Sequence, residues 1–267
     1  MARITAVLAL IFSLLGLPAY AELREVYMED MTWMEIRDRI QGGATTVIVP
    51  IGSVEQNGPQ MATRKHNAIV HYTSGEIAQK LRNTLVAPVV PFSPNGRINP
   101  PEGHMQFAGT ISISEDTFTR TLEDVAASLK QHGFRTICFV GDSGGSQNVQ
   151  QHVANRLTGK WQSSGVRVLH VSDYYSNNGQ EAWAEKIGTK TPNPGAHAGI
   201  IDTSELLAID AVSVRSNQLG KRKDSDYKTT GAAGDSSMAS AEHGRRFLSL
   251  KIEAAVKQIE SGAYRAR

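Results

Sequence analysis

Glu55 lies in the loop Gly52-Ser53-Val54-Glu55-Gln56-Asn57-Gly58-Pro59, and His66 follows eleven residues later at the start of a helical stretch. A carboxylate and a neutral imidazole suit zinc or manganese, so the pair could converge on one ion; the alternative is that both are simply solvated. A later loop, Gly195-Ala196-His197-Ala198-Gly199, surrounds an imidazole with small residues. A substrate can then come close to it, which is the setting of a general acid or base. Asp202 either reaches into the same site or only caps the following helix, with His197 then a hydrogen-bonded structural residue. Gly141-Asp142-Ser143-Gly144-Gly145 matches the G-x-S-x-G turn of serine hydrolases in its strand-turn-helix setting. A triad of Ser143, then Asp173 or Asp202, then His197 or His243 is formally available. Trypsin-like proteases share the string around their nucleophile, but those are all-β barrels, and the alternation described next argues against them.

These residues need elements to hold them. Thr32-Trp33-Met34-Glu35 has the form of a capping box and predicts a helix that ends at Gly42-Gly43. Thr45 to Ile51 is apolar and β-branched on successive residues, as a strand buried on both faces of a parallel sheet should be. Further strands are predicted over 85–92, 110–114, 135–140 and 166–171. Helices are predicted over 67–81, 115–131, 147–161, 181–187, 204–211 and 241–259. Ser114 or Asp116 caps the helix over 115–131, and Gly133 stops it. Strands separated by helices imply βαβ crossovers, hence an α/β fold with a mainly parallel sheet and helices on both sides. Ligands of such sheets bind beyond the carboxyl ends of the strands. The loops beginning near Gly52, Ser93, Gly141 and Asp173 open at that rim.

Met1-Ala2-Arg3, the uncharged apolar run Ile4 to Leu17 and the small-x-small site Ala19-Tyr20-Ala21 read as a signal peptide over 1–21. The run is shorter than the roughly 20 apolar residues of a bilayer span. One domain over 22–267 is therefore expected in the periplasm or secreted, with no membrane attachment after cleavage. Twenty-eight basic residues against 26 acidic leave +2, no field to recruit nucleic acid. Cys138, the single cysteine, rules out an internal disulfide and reads as a buried thiol.

Four motifs, in order along residues 31–244, resemble the creatininase (creatinine amidohydrolase) family. Pro50-Ile51-Gly52-Ser53-Val54-Glu55-Gln56-Asn57-Gly58-Pro59 is similar to its P-x-G-S-x-E-Q-H-G-P-H loop, and His104-Met105-Gln106-Phe107-Ala108-Gly109-Thr110-Ile111-Ser112 to its H-x-x-F-P-G-T-I-S. Gly141 to Ser146 falls where the family has N-G-H-G-G-N, and His197-Ala198-Gly199-Ile200-Ile201-Asp202-Thr203-Ser204 resembles its H-A-G-x-x-E-T-S. Gly234-Asp235 with Ala239 resembles a late G-D-P-x-x-A element.

The resemblance implies a three-layer α/β/α sandwich, a homo-oligomer and a two-metal centre that activates water to cleave a C–N bond of a small, cyclic or open amide. Glu55 keeps the family's first carboxylate ligand. Asn57 stands where a histidine ligand is usual, His66 where an aspartate bridges the ions, and Ser143 where another histidine would be. One divalent ion (zinc, manganese or iron) is therefore expected rather than two, held by Glu55, His66 and Asp202 with Asp142 as a further oxygen donor. The resemblance makes His197 the proton shuttle, with Asp202 a shortened version of the family's glutamate. Asn57, His104, Ser143 and Gly144 are expected to line the substrate pocket. Two other functions remain open: a non-catalytic ligand-binding protein that keeps the fold, and a metal-independent serine hydrolase using Ser143.

Overall fold

The computed structural model describes residues 25–189, 195–220 and 226–264. The expected signal peptide lies outside them. Four parallel strands, β1 (Thr46–Ile51), β2 (Thr84–Val86), β3 (Thr136–Gly141) and β4 (Arg167–His170), form one sheet in the order β2-β1-β3-β4. Successive side chains of β1 go to opposite faces. Val47, Val49 and Ile51 pack with Phe118, Leu122, Phe139 and Leu157 on one side, and Ile48 packs with Ile69, Val140 and Ile252 on the other. Each face is closed by helices, which explains why the strand carries no polar alternation.

On the first face lie α1 (Trp33–Gln41), α3 (Glu115–Gln131) and α4 (Gln147–Trp161), counting α2 (Lys65–Leu81) as the helix between β1 and β2. The other face is covered by α2 and by the long α8 (Ala241–Tyr264), which also packs on α6 (Ile200–Ile209). Two short helices, α5 (Gln180–Lys186) and α7 (Tyr227–Thr230), complete the described α-helices, and a 3-10 turn, Gly103–Gln106, carries His104. Thr32 and Glu35 close the predicted capping box on α1, and the Ser114 hydroxyl caps α3. Cys138 is buried in β3, and burial pushes its thiol up to about 12.

The strand predicted over 85–92 is the clearest departure, since its ladder stops at Val86. Pro88 and Pro91 bring no N–H to a ladder, so the chain rejoins β1 only where the Val90 N–H reaches the Pro50 carbonyl at 2.9 Å. The segment 110–114 likewise makes an isolated bridge, Val54 to Ile111, rather than a strand. Two helices start earlier than predicted. As a result His66 falls in the first turn of α2 and Asp202 in the first turn of α6.

Candidate active site

The loops after β1 and β3, the first turns of α2 and α6, and the loop through His104 enclose a cavity of about 210 Å³. Glu55, Lys65, His66, His104, Asp142, Ser143, Gly144, His197 and Asp202 all line it. Asn57 does not. Its amide nitrogen donates to the Glu55 carbonyl at 2.9 Å, and it is buried away from the cavity wall.

Glu55 is the hub. Its Oε1 is 3.0 Å from His66 Nε2, while its Oε2 accepts from the Ser53 hydroxyl at 2.9 Å and lies 3.4 Å from Ser143 Oγ. The opposite nitrogen of His66, Nδ1, is 2.9 Å from Asp142 Oδ2. Burial and the Lys65 charge press His66 toward neutrality, but the Glu55 charge and bonds to both carboxylates outweigh them and hold it at about 9. His66 is thus an imidazolium with both nitrogens committed. Asp142 Oδ1 accepts in turn from Lys251 Nζ at 2.8 Å and from the Tyr174 hydroxyl at 2.9 Å. Lys251, on α8, also donates to Glu205 Oε2 at 3.0 Å, and Glu205 receives Gln180 Nε2 at 2.5 Å. Burial alone would raise the Asp142 carboxyl, yet Lys251 and His66 hold it well below the usual range.

Two other imidazoles face the same carboxylate. His104 Nε2 is 3.7 Å and His197 Nδ1 4.0 Å from Glu55 Oε1, and one ligand atom from each of the three residues falls within 4.8 Å of the others. Burial lowers both histidines, His197 to about 4, so both rings are neutral at ordinary pH. Gln56 lies against their far sides: its side-chain nitrogen is 3.0 Å from His104 Nδ1, and its backbone carbonyl accepts from His197 Nε2 at 3.0 Å. The Tyr227 hydroxyl adds a contact of 3.3 Å to His104 Nδ1.

The ligand set expected from sequence, Glu55 with His66 and Asp202, is therefore arranged differently. His66 offers no lone pair, because each of its nitrogens serves a carboxylate. Asp202 turns to Lys65 Nζ at 3.0 Å and to the Ala198 N–H at 2.9 Å. Ala198 holds a left-handed φ of 58°, a strained conformation for a residue with a β-carbon, which the bond from Asp202 and one from Gln60 secure. Asp142 is spent on His66, Lys251 and Tyr174 rather than left open as an oxygen donor. The serine triad is not assembled either: Ser143 Oγ meets Glu55 and no imidazole among the described residues. Gly144 instead makes room. A β-carbon there would stand 2.7 Å from the Tyr175 hydroxyl, and Tyr175 lines both this cavity and a neighbouring one of about 570 Å³ that shares Asp142 and Asp202.

Sequence reasoning missed Gln56, Lys65, Glu205, Tyr227 and Lys251. Only Lys65 carried a local signal, its place beside His66 in the first turn of α2.

A parallel sheet covered on both faces, with convergent acid, imidazole and ammonium groups beyond the strand ends, defines an α/β enzyme with a polar site at the sheet's C-terminal rim. The family model described as creatinine amidohydrolase matches residues 29–259, and the chain belongs to this creatininase family. It is an amidohydrolase, of a family that acts on C–N bonds. Among similar proteins, a mycofactocin precursor peptide peptidase of Mycobacterium tuberculosis is 24% identical over 240 residues, covering 80% of this chain and 84% of the relative. The creatinine amidohydrolase of Pseudomonas putida is 25% identical over 117 residues, 44% of each chain. A solved creatininase with Mn superposes with a TM-score of 0.75 at 20% identity, over 89% of this chain and 98% of that one, a likeness that shows the fold.

Asn57, at a usual histidine-ligand position, is turned from the cavity, and His66 and Asp142 are hydrogen-bonded to protein partners. The donors that remain fit one ion. Glu55, His104 and His197 supply a carboxylate and two neutral imidazoles: His197 gives its Nε2–H to the Gln56 carbonyl, the usual way a protein prepares a histidine ligand, while His104 Nδ1 faces the Gln56 amide and the Tyr227 hydroxyl, and ligation through Nε2 needs the ring proton on Nδ1.

Proposed function

We propose that this chain is an exported, single-ion amidohydrolase that cleaves the C–N bond of a small, cyclic or open amide, with the ion held by Glu55, His104 and His197. The reading is carried by the two neutral imidazole nitrogens facing Glu55 Oε1 at 3.7 and 4.0 Å. Two histidines and a glutamate make a catalytic zinc set, and the same donors suit manganese or iron. A divalent ion there supplies Lewis-acid activation of water or of the amide carbonyl.

The chain's own groups do the rest. Ser53 and the His66 imidazolium fix the Glu55 carboxylate, and the Gln56 carbonyl fixes the His197 ring. Loading His104 through Nε2 requires its proton on Nδ1, where the Tyr227 oxygen stands ready to accept it. Asp202, on the cavity wall, holds the Lys65 ammonium in place. The scissile amide lies in the cavity of about 210 Å³, with room for a longer substituent past Tyr175 in its neighbour. The relatives, one a peptidase and one a creatinine amidohydrolase, both cleave C–N bonds.

The leader-like sequence over 1–21 supports a periplasmic or secreted location, and among the described residues no helix is long and apolar enough to cross a membrane. The family resemblance supports a homo-oligomer acting on a small-molecule substrate. The test is reconstitution of chelator-stripped protein with zinc, manganese or iron, followed by hydrolysis of an amide and lactam panel. One bound ion per chain and activity lost in Glu55→Gln are expected. Two ions, or none, would overturn the site as assigned.

A further inference from the structure

Lys65 is 1% exposed, yet its ammonium has a single partner among the described residues, Asp202 Oδ1 at 3.0 Å. An ammonium carries three N–H donors, and donors withdrawn from water without acceptors are costly. Lys251, equally buried, shows the satisfied case, with Asp142, Glu205 and the face of Tyr174 all around it. Lys65 differs in lining the cavity of Glu55, His104 and His197, so the acceptors its remaining donors lack must come from whatever occupies that cavity. Its position is pinned. Asp202 holds it through one oxygen while the other oxygen is tied to the Ala198 N–H, and the α2 backbone fixes its base.

We propose that Lys65 is a catalytic residue whose free N–H donors bind the amide carbonyl oxygen and stabilise the negative charge that develops on it. This rests on the amide-hydrolysis reading above. The oxygen of water adds to the carbonyl carbon, and the C=O π pair moves onto the carbonyl oxygen, where Lys65 meets it. One proton of the water passes to the nitrogen. The oxyanion's pair then re-forms C=O as the C–N bond breaks, its pair leaving with nitrogen, to give a carboxylic acid and an amine; one water is consumed and nothing is oxidised. A fixed cation aimed at developing charge is the strongest single device such a site can hold.

The test compares ion-loaded wild type, Lys65→Met and Lys65→Arg on the amide the wild type hydrolyses best. Lys65→Met should lower kcat about 100- to 1,000-fold, the range for loss of one oxyanion donor. KM should stay within about threefold and ion stoichiometry at one, with Lys65→Arg recovering part of the rate. A raised KM with unchanged kcat would make Lys65 a ground-state anchor and overturn the proposal. So would activity within about threefold of wild type. A second measurement is independent of turnover: calorimetric binding of methylphosphonate, a tetrahedral anion, set against acetamide. Lys65→Met should weaken the anion at least tenfold more than the neutral amide, and equal losses overturn the proposal whatever the activity. Should the unpaired Asp202 prevent folding, Lys65→Met with Asp202→Asn serves for this binding assay. A wild type that binds the ion and methylphosphonate through Lys65 but hydrolyses no amide would sink the hydrolase reading and leave the anion site standing.

Discussion

Two groups of polar side chains meet at Glu55 and could hardly be more different. On one side His104 and His197 come from loops, are partly exposed, carry no charge and leave one nitrogen each facing the carboxylate. On the other, His66, Asp142, Lys251 and Glu205 come mostly from regular elements, are buried and are bonded to one another at 2.8 to 3.0 Å, with burial raising Glu205 to about 7. Residue type does not separate a ligand from a strut, because each group contains histidine. Partnering does: a ring with one nitrogen anchored is prepared to bind, and a ring with both nitrogens engaged is finished.

The comparison breaks most severely at the shared member. Glu55→Gln should remove ion binding and lower kcat/KM by more than about 1,000-fold, as loss of a ligand to a catalytic metal does. Steady-state assays beside metal analysis read both effects. Lys251→Met acts on the closed group alone. Two buried carboxylates lose their cation, and the cost should be about 3–5 kcal/mol in urea unfolding, while any folded protein still binds its ion. The converse variant, Gln56→Ala, loosens only the open group. Ion affinity should fall about 10- to 100-fold by calorimetry, with stability changed far less than by Lys251→Met.

The smallest effect is a slope with pH. His66 is raised from 6.5 to about 9, so its stabilising contribution is complete below pH 6.5 and fades as pH climbs through 9. Wild-type unfolding free energy should therefore decline across that window. His66→Gln should be flatter there, and an equally steep decline in the variant would mean that another group titrates.

The layered architecture was legible because its signals are local. The capping box of Thr32 and Glu35, the two-sided apolar run of β1, and Ser114 and Gly133 bracketing α3 each act over a few residues, and each element formed as the sequence implied. Strand length was less legible, since Pro88 and Pro91 cut the β2 ladder within an otherwise suitable apolar run. At the site, Glu55, His104 and His197 could be picked out by the motifs they share with the family. Their division of labour could not. Whether His66 or His104 faces an ion depends on where Asp142 and Gln56 lie, and those contacts join residues up to 76 positions apart. Lys251 was invisible for a related reason, as a lysine in a helix normally reads as solvated until its carboxylate partners are in place, and Lys65 had only its place beside His66 to single it out.

Lys251 sits on α8, near the end of the chain. A ribosome that has already produced β1, β3 and α6 has emitted Asp142 and Glu205 but not the cation that neutralises them, nor Leu248 and Ile252 that cover the second face of the sheet. Until α8 docks, Asp142 and Glu205 lack the ammonium they are buried against, and this face of the sheet lacks Leu248 and Ile252. A chain ending before residue 251 would lack that ammonium and leave this face of the sheet covered by α2 alone, and limited proteolysis should cut it sooner than the full chain.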